Sequence, residues 1–305
     1  MDLQTPHEEL QYLSLIRRIL ETGNQKVDRT RVGTKSIFGN IMRFSLKDDA
    51  MPLFTTKKVY WKAIVEELLF FIRGDTNATH LSDKGIHIWD AHSSKEFLTS
   101  VGLGHRAKGD FGPLYGYQWR HAGAKYVDMD TDYTGQGFDQ LKDVLDRLRN
   151  NPADRRIILC AWNAPDLPLM ALAPCHVMAQ FYTTYDSARS GYDLSCMVTQ
   201  RSADVGLGVP FNVASYALLT HLVARSVGMK ASELIYSTGD THIYTNHVEP
   251  LKEQLTRAPK PFPRVDLSGW PVCVNPIDSF DGITSDAIKL VGYDPHPHIK
   301  MEVCI

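Results

Sequence analysis

Cysteine is scarce in this 305-residue sequence: there are five, an odd number, and no two of them form a CxxC pair. This pattern disfavours a disulfide framework and a cysteine-rich zinc site, and it favours a reducing compartment. Long apolar runs are also missing, so no transmembrane helix is expected. The first residues lack the basic and apolar regions of a signal peptide. We expect a cytoplasmic protein, and a nuclear or organellar location fits the same features.

An excess of either charge is absent too, because 33 Lys and Arg residues balance 35 Asp and Glu residues. A formal charge of −2 provides no basic face for nucleic acid or an anionic membrane. No repeat, low-complexity tract or flexible linker divides the chain. With 43% apolar and 22% charged residues, the composition is that of an ordinary globular protein. An anionic ligand would therefore be bound locally, by a few arginines.

Hydrophobic periodicity predicts helices over residues 8–22, 59–73, 138–149 and 213–227. Runs rich in β-branched and aromatic residues predict strands over residues 156–162, 176–185 and 192–200. Residues 91–137, rich in Gly, Asp, His and Tyr, are expected to be irregular, and long irregular stretches in compact domains are often functional.

Cys175 lies between Pro174 and His176, just before a predicted strand. A cysteine becomes a nucleophile when cationic groups or helix dipoles favour its thiolate. A buried structural cysteine is the commoner alternative. Neighbouring residues of a strand point to opposite faces, so Cys175 and His176 are not expected to form a pair.

Four arginines stand beside predicted strands or small residues: Arg29, Arg155, Arg156 and Arg201. The planar guanidinium binds phosphate through two parallel hydrogen bonds, and several together suit a dianion. Surface ion pairing is the alternative for each of them.

Glu66 and Glu67 lie inside a very apolar helix. A buried carboxyl has a raised pKa and can serve as a general acid or base. The alternative is that one of the two faces solvent.

Asn212 follows the glycine-rich run DVGLGVP and, from local sequence alone, is best interpreted as a helix N-cap. His242 and Tyr244 share one face of an extended segment and, with Asp240, could bind hydroxyl groups. The spacing of His242 and His247 is poor for zinc.

Nine motifs, in order, resemble the thymidylate synthase family over nearly the whole chain, in the form with two insertions common in eukaryotic and viral members. They are DRTRVGT (28–34), FTTKKVYWKAIVEELLFF (54–71), IHIWD (86–90), GPLYGYQWRHAGA (112–124), DRRIILCAWN (154–163), LAPCHVMAQFY (172–182), QRSADVGLGVPFNVASYALLTH (200–221), GDTHIYTNHVEPL (239–251) and the terminal HPHIKMEVCI. The resemblance implies a single α/β domain over residues 1–305. In this domain helices surround a mixed β-sheet, and the sheets of two subunits stack across a homodimer interface.

The same resemblance implies reductive methylation of dUMP to dTMP, with 5,10-methylenetetrahydrofolate as co-substrate, dihydrofolate as second product and no metal. Cys175 would attack carbon 6 of the pyrimidine. The other residues implied in the chemistry are Glu67, Tyr115, His176, Arg201 and Asp204.

The resemblance also implies which residues bind the two substrates. For dUMP the resemblance implies Arg29, Gln200, Arg201, Ser202, Asn212, His242 and Tyr244, with Arg155 and Arg156 reaching in from the partner subunit. For the folate it implies Ile88, Trp89, His92, Asp204, Leu207, Gly208, Phe211 and the terminal Ile305, which would help to close a lid over the site.

Several positions depart from the usual family pattern: Arg31, Val32, Phe70, His92, Ser93 and Ala122. A polar His92–Ser93 pair at the folate site leaves open a dUMP hydroxymethylase, which uses the same cysteine and folate but lets water attack. A dCMP hydroxymethylase ranks lower, because those enzymes usually carry Asp where Asn212 stands. A third alternative is a catalytically weak family member that binds nucleotide or RNA.

Overall fold

The computed structural model describes residues 6–27 and 32–304. Within these ranges the α-helices are α1 (Leu10–Thr22), α2 (Trp61–Ile72), α3 (Thr79–Ser82), α4 (Lys95–Ser100), α5 (Gly116–His121), α6 (Gln140–Asn150), α7 (Gly208–Ser226) and α8 (Val248–Gln254). The strands are β1 (Asn24–Lys26), β2 (Thr34–Ser45), β3 (Ile158–Cys160), β4 (His176–Asp186), β5 (Gly191–Asp204), β6 (Lys230–Tyr244), β7 (Arg264–Asp266) and β8 (Lys289–Val291). None of these helices is long and apolar enough to cross a bilayer.

Six strands form one mixed sheet in the order β1-β2-β6-β5-β4-β3. β5 and β6 run parallel, and the other neighbours are antiparallel. The crossover between the parallel strands is α7, which packs on both of them. The α/β class and the mixed sheet are thereby confirmed.

One face of the sheet carries the core. Along β5 the residues Leu194, Cys196 and Val198 are fully buried, while Met197 between them is 38% exposed. This alternation follows from the two-residue period of a strand. Because α7 lies against that face, it is apolar nearly all round, and most of its residues are buried.

The opposite face of the sheet presents large apolar side chains to solvent. Ile41 is 60% exposed, Tyr182 68% and Met197 38%. A concavity of about 750 Å³ runs along this face. Large exposed apolar side chains rimmed by polar residues mark an interaction site in soluble proteins.

The predicted helices are confirmed as α1, α2, α6 and α7, but α7 starts at Gly208 rather than at residue 213. Asn212 is therefore the fifth residue of the helix, and its interpretation as an N-cap is wrong. The Asp204 carboxylate starts the turn instead, because it accepts from the Gly206 N–H at 2.9 Å and the Leu207 N–H at 3.3 Å. The long strands β2 and β6 were not predicted.

The stretch 91–137 is only partly irregular, since it contains α4 and α5. Its anchor is the buried Asp110 carboxylate. One oxygen accepts from the Tyr126 hydroxyl at 2.7 Å and from the Gly112 N–H at 2.8 Å. The buried Arg106 lies 3.5 Å from the same oxygen. These bonds fix the backbone that leads into α5 and Tyr115.

Candidate active site

The candidate site lies where β5 and β6 end and β4 begins. Parallel strands end at the same edge of a sheet, and the antiparallel β4 starts there. The register pairs His176 with Gln200 and Asp204 with His242. Residues that are far apart in sequence thus come together beside Cys175.

Cys175 is held through its backbone. Its N–H donates to the Tyr115 hydroxyl at 2.9 Å, and its carbonyl accepts from the Arg201 N–H at 2.8 Å. The Arg201 guanidinium donates to the carbonyls of Pro174 and Ala173, both at 2.8 Å. A permanent positive charge is thus fixed on the two residues that precede the cysteine, which favours a thiolate.

Tyr115 reaches Cys175 from a strained backbone. Its φ of 32° lies in a region that non-glycine residues rarely adopt, and such strain concentrates at functional sites. The next residue is glycine because a Cβ on Gly116 would come within 2.4 Å of the Phe71 carbonyl oxygen. The buried phenol ring stacks on His176 with centroids 4.0 Å apart.

Glu66 and Glu67 are both buried, so the alternative that one of them faces solvent is wrong. Glu66 accepts from Lys84 at 2.7 Å and from the Ser285 hydroxyl at 2.6 Å. Glu67 accepts only a neutral donor among its described contacts, the Trp89 indole N–H at 2.6 Å. Burial raises the pKa of Glu67 to about 8 despite that bond. At neutral pH this carboxyl therefore holds a proton.

Neutral hydrogen-bonding groups complete the interior of the site. The His176 Nδ1 lies 2.7 Å from the Tyr216 hydroxyl, and burial lowers the pKa of His176 to about 3. The Gln200 side chain accepts from the Tyr236 hydroxyl and donates to the Ser202 carbonyl at 2.8 Å and to the Asn212 side-chain oxygen at 3.3 Å. The Asn212 amide is thus oriented by a second amide. We call Glu67, His176, Gln200 and Asn212 the polar layer.

Asp204 stands at the end of β5 beside the start of α7. Burial would raise its pKa, but the His247 imidazole and the backbone N–H of Gly206 stabilise the carboxylate, and the net pKa is lowered. The predicted folate residues Leu207, Gly208 and Phe211 follow in the first turn of α7. Asp204 therefore presents a charge at the mouth of the site, in contrast to the polar layer.

Trp89 is another of the residues predicted to bind the folate. Its ring packs edge-on against Phe111, with centroids 4.8 Å apart, and lies 6.2 Å from the Tyr115 ring. Ile88 beside it is 36% exposed. Trp89 thus lies between the predicted folate residues and Tyr115, which contacts Cys175.

Two departures from the family pattern, His92 and Phe70, lie within apolar packing. Buried His92 packs edge-on against Trp89 at 5.9 Å and Phe97 at 5.2 Å. Phe70 is a core residue, 1% exposed. Ala122 forms an isolated bridge with Phe138. Arg31 lies outside the described residues.

His242 and Tyr244 lie at the end of β6, where the sequence predicts an extended segment. Their rings are 5.2 Å apart, and the His242 Nδ1 lies 3.2 Å from Asp240. Asp240 also binds Lys26 at 2.9 Å. Across residues 6–27 and 32–304, no three His, Cys, Asp or Glu side chains gather closely enough to hold a metal ion.

Arg155 and Arg156 are not brought to Cys175 by any contact within the described part of the chain. Both are exposed just before β3, and Arg156 forms an ion pair with Asp154 at 2.9 Å. The Arg155 carbonyl accepts from Gln180 at 3.4 Å, beside the open face of the sheet. Two other predicted site residues, Arg29 and Ile305, lie outside the described residues.

Sequence reasoning missed several residues that support the site. Tyr216 and Tyr236 orient His176 and Gln200, and Lys57 binds the Gly206 carbonyl at 2.5 Å. Trp162 lies under the Arg201 guanidinium, 5.7 Å from its carbon. Tyr216 lies in a predicted helix that is largely apolar, so the sequence did not indicate a polar role for it. Lys57 lies in the family motif of residues 54–71, and that motif was the signal that could have identified it.

The fold and the site together are those of an α/β enzyme built around one cysteine. The family model described as thymidylate synthase matches residues 10–305. The chain therefore belongs to the thymidylate synthase family, whose synthases are methyltransferases.

Its relatives support the same assignment. The chain is 53% identical to the thymidylate synthase of Homo sapiens, over 98% of this chain and 92% of that protein. It is 52% identical to the thymidylate synthase of human herpesvirus 8, over 99% of this chain and 86% of that protein. A bifunctional dihydrofolate reductase-thymidylate synthase of Zea mays is 54% identical over 98% of this chain, which spans 55% of that longer protein.

The raised pKa of Glu67 predicts a pH-dependent stability. The Glu67 carboxyl has a pKa of about 8 in the folded state and about 4.5 in the unfolded state. Its contribution to the free energy of unfolding is therefore fully present below pH 4.5 and is lost as the pH rises towards 8. Relative to Glu67→Gln, wild type should lose about 1.4 kcal/mol of unfolding free energy per pH unit between roughly pH 5 and 8. Urea unfolding of both proteins across this range measures the difference. A difference that stays constant with pH would show that Glu67 is ionised in the folded state.

Proposed function

We propose that this chain is a thymidylate synthase, which methylates dUMP to dTMP with 5,10-methylenetetrahydrofolate and releases dihydrofolate. The observation that carries the proposal is the pairing of a cysteine beside a fixed guanidinium with a buried, neutral carboxyl, Glu67, reached through Tyr115 and Trp89. Family membership supplies the reaction, and the polar layer fits its chemistry.

Carbon 5 of uracil is a poor nucleophile until carbon 6 is attacked. Addition of the Cys175 sulfur to carbon 6 forms a carbon–sulfur bond and moves an electron pair into an enolate. That enolate attacks the one-carbon unit of the folate. Arg201 favours the attacking thiolate, because its charge is fixed on residues 173 and 174.

Asn212 is suited to read the uracil edge. An amide has one donor and one acceptor group, matching the oxygen at carbon 4 and the ring N–H. Gln200 holds this amide in one orientation. Cytosine reverses the edge and would leave buried polar groups unpaired, at a cost of about 1–3 kcal/mol each.

Glu67 and Tyr115 serve proton transfers at carbons 4 and 5. A neutral Glu67 gives up its proton when the folate ring opens. Once ionised, it accepts the carbon 5 proton as the bond between the one-carbon unit and the folate nitrogen breaks, which releases tetrahydrofolate and leaves an exocyclic methylene on carbon 5. The Tyr115 oxygen accepts from the Cys175 N–H, so its own proton points elsewhere and is free to take part. His176 stays neutral and fixes the plane of the Tyr115 ring.

The last step moves a hydride from the folate to the exocyclic methylene, and the cysteine leaves. Water must be excluded at this stage, because attack by water would give a hydroxymethyl product. His92, one of the two residues that raised the hydroxymethylase alternative, packs against Trp89 and Phe97. The named relatives are synthases, so the hydroxymethylase is not favoured.

We further propose a homodimer in which Arg155 and Arg156 bind the phosphate of the partner's dUMP, together with that subunit's Arg29, Arg201 and Ser202. The open face of the sheet supports this, because it exposes Tyr182 and Ile41 and lies beside Arg155. A second copy would bury this face. A cytoplasmic location remains our proposal and is supported by five cysteines that form no disulfide within the described residues.

Product analysis tests the proposed reaction. With dUMP and methylenetetrahydrofolate, wild type should form dihydrofolate and thymidylate in equal amounts, measured by absorbance and mass spectrometry. Cys175→Ser should lose at least about a thousandfold in kcat while its dUMP affinity changes little, because sulfur is needed for addition and not for docking. Hydroxymethyl-dUMP with tetrahydrofolate would identify a hydroxymethylase, and turnover by the serine variant would contradict covalent catalysis.

Subunit mixing tests the arginines. Cys175→Ser and Arg156→Glu should each be inactive as homodimers. Random re-association should restore up to about a quarter of wild-type activity, because half the dimers then hold one site with an intact cysteine and an intact partner arginine. Cys175→Ser mixed with Cys175→Ala is the matched control. Verified heterodimers without activity would show that Arg156 does not act across the interface.

A further inference from the structure

His247 is a fully buried histidine to which the mechanism above assigns no role. It ends the short turn between β6 and α8 and is 0% exposed. Its two ring nitrogens face different parts of the molecule. Nε2 lies 2.7 Å from the carbonyl oxygen of Glu302 in the C-terminal tail, and Nδ1 lies 3.7 Å from the Asp204 carboxylate.

The backbone of Gly206 brings these two parts into close contact. A Cβ on Gly206 would come within 2.5 Å of the His247 Nδ1 and 3.2 Å of the Met301 sulfur, so only glycine fits between the imidazole and the tail. The Lys57 ammonium donates to the Gly206 carbonyl at 2.5 Å and lies 3.7 Å from the Met301 sulfur. The Asp204 turn and the tail therefore meet at one packed junction.

The charges around His247 favour its protonated form. Burial lowers its pKa, but the Asp204 carboxylate and the Glu302 carbonyl outweigh that effect, and the net pKa is raised. The other polar groups at this junction are Lys57, whose pKa burial lowers to about 8, the Tyr244 ring and His242, which faces Asp204. A protonated imidazole has two N–H donors, whereas the neutral ring has one. In this structure Nε2 is within hydrogen-bond distance of the Glu302 carbonyl, while Nδ1 makes no hydrogen bond to the described residues and faces the Asp204 carboxylate at ion-pair distance.

We propose that His247 is a positioning residue that joins the C-terminal tail to Asp204, so that docking of the tail and orientation of the Asp204 carboxylate occur together. The inference rests on the proposed function only for the role of Asp204 toward folate. The tail is independently anchored upstream, where the His296 N–H donates to the Thr55 carbonyl at 2.7 Å and Arg257 donates to the Pro297 carbonyl at 2.6 Å. His247 therefore positions the residues around Glu302, whereas residues 296 and 297 are held by other contacts.

Two conservative variants separate the two contacts. The His247→Gln amide reaches the position of Nε2 and keeps the bond to the tail, and the His247→Asn amide reaches that of Nδ1 and loses it. His105→Asn, at an exposed site, is the control. In the ligand-free protein, carboxypeptidase should remove Cys304 at least about tenfold faster from His247→Asn than from the control, and His247→Gln should stay within about threefold of it. The unfolding midpoint of each variant shows whether it folds. If one variant does not fold, the digestion rate of the other is compared with that of wild type.

Kinetics test the link to Asp204. Both His247 variants should raise the KM for methylenetetrahydrofolate about tenfold and leave the KM for dUMP within about twofold. In wild type the folate KM should rise as pH increases above 6.5, and this dependence should vanish in both variants. A dependence that persists would assign it to Lys57 or Glu67, whose pKa values both lie near 8, and would overturn the proposal. Tail digestion at the control rate in His247→Asn would overturn it as well. The digestion needs no turnover, so absence of synthase activity in wild type would reject the proposed function alone.

Discussion

Polar side chains buried beside Cys175 must find hydrogen-bond partners within the protein, because an unpaired polar group in a dry interior costs several kcal/mol. This requirement shapes the elements around the site. Trp89 satisfies Glu67, Tyr216 satisfies His176, and Tyr236 satisfies Gln200. The partners come from α7, β6 and the turn after residue 86, so the chemistry depends on the correct packing of distant parts of the chain.

The same burial separates neutral groups from charged ones. Glu67 and His176 lose their charge inside the site, with pKa values of about 8 and about 3. Arg201 and Asp204 keep theirs, because backbone carbonyls and N–H groups stabilise the charges at its edge. An environment of this kind lets a carboxyl transfer protons at neutral pH, while a fixed cation acts on the thiol. It also keeps water from the intermediate that must accept a hydride.

Sequence patterns predicted the four longest helices, α1, α2, α6 and α7, because each has apolar residues at helical spacing, and the motifs indicated the family and the site. The short helices α3, α4, α5 and α8 were not predicted. The patterns did not predict features that depend on contacts between distant parts of the chain. Asn212 looks like an N-cap, yet α7 already begins at Gly208, after a turn in which Asp204 accepts from the Gly206 N–H. Glu66 and Glu67 are adjacent and both buried, because Lys84 and Ser285 come from distant segments to pair with Glu66. The sequence did not indicate the role proposed for His247, since its partners are a turn 43 residues earlier and a carbonyl 55 residues later.

The central claim is that the site excludes water long enough for the folate to reduce the methylene it has delivered. Conversion of tetrahydrofolate to dihydrofolate removes the hydrogen at carbon 6 of the pterin, so methylenetetrahydrofolate labelled there with deuterium reports the step directly. The account predicts thymidylate carrying one deuterium in its methyl group for each dihydrofolate formed. Product without deuterium, or with a hydroxyl on that carbon, would contradict it.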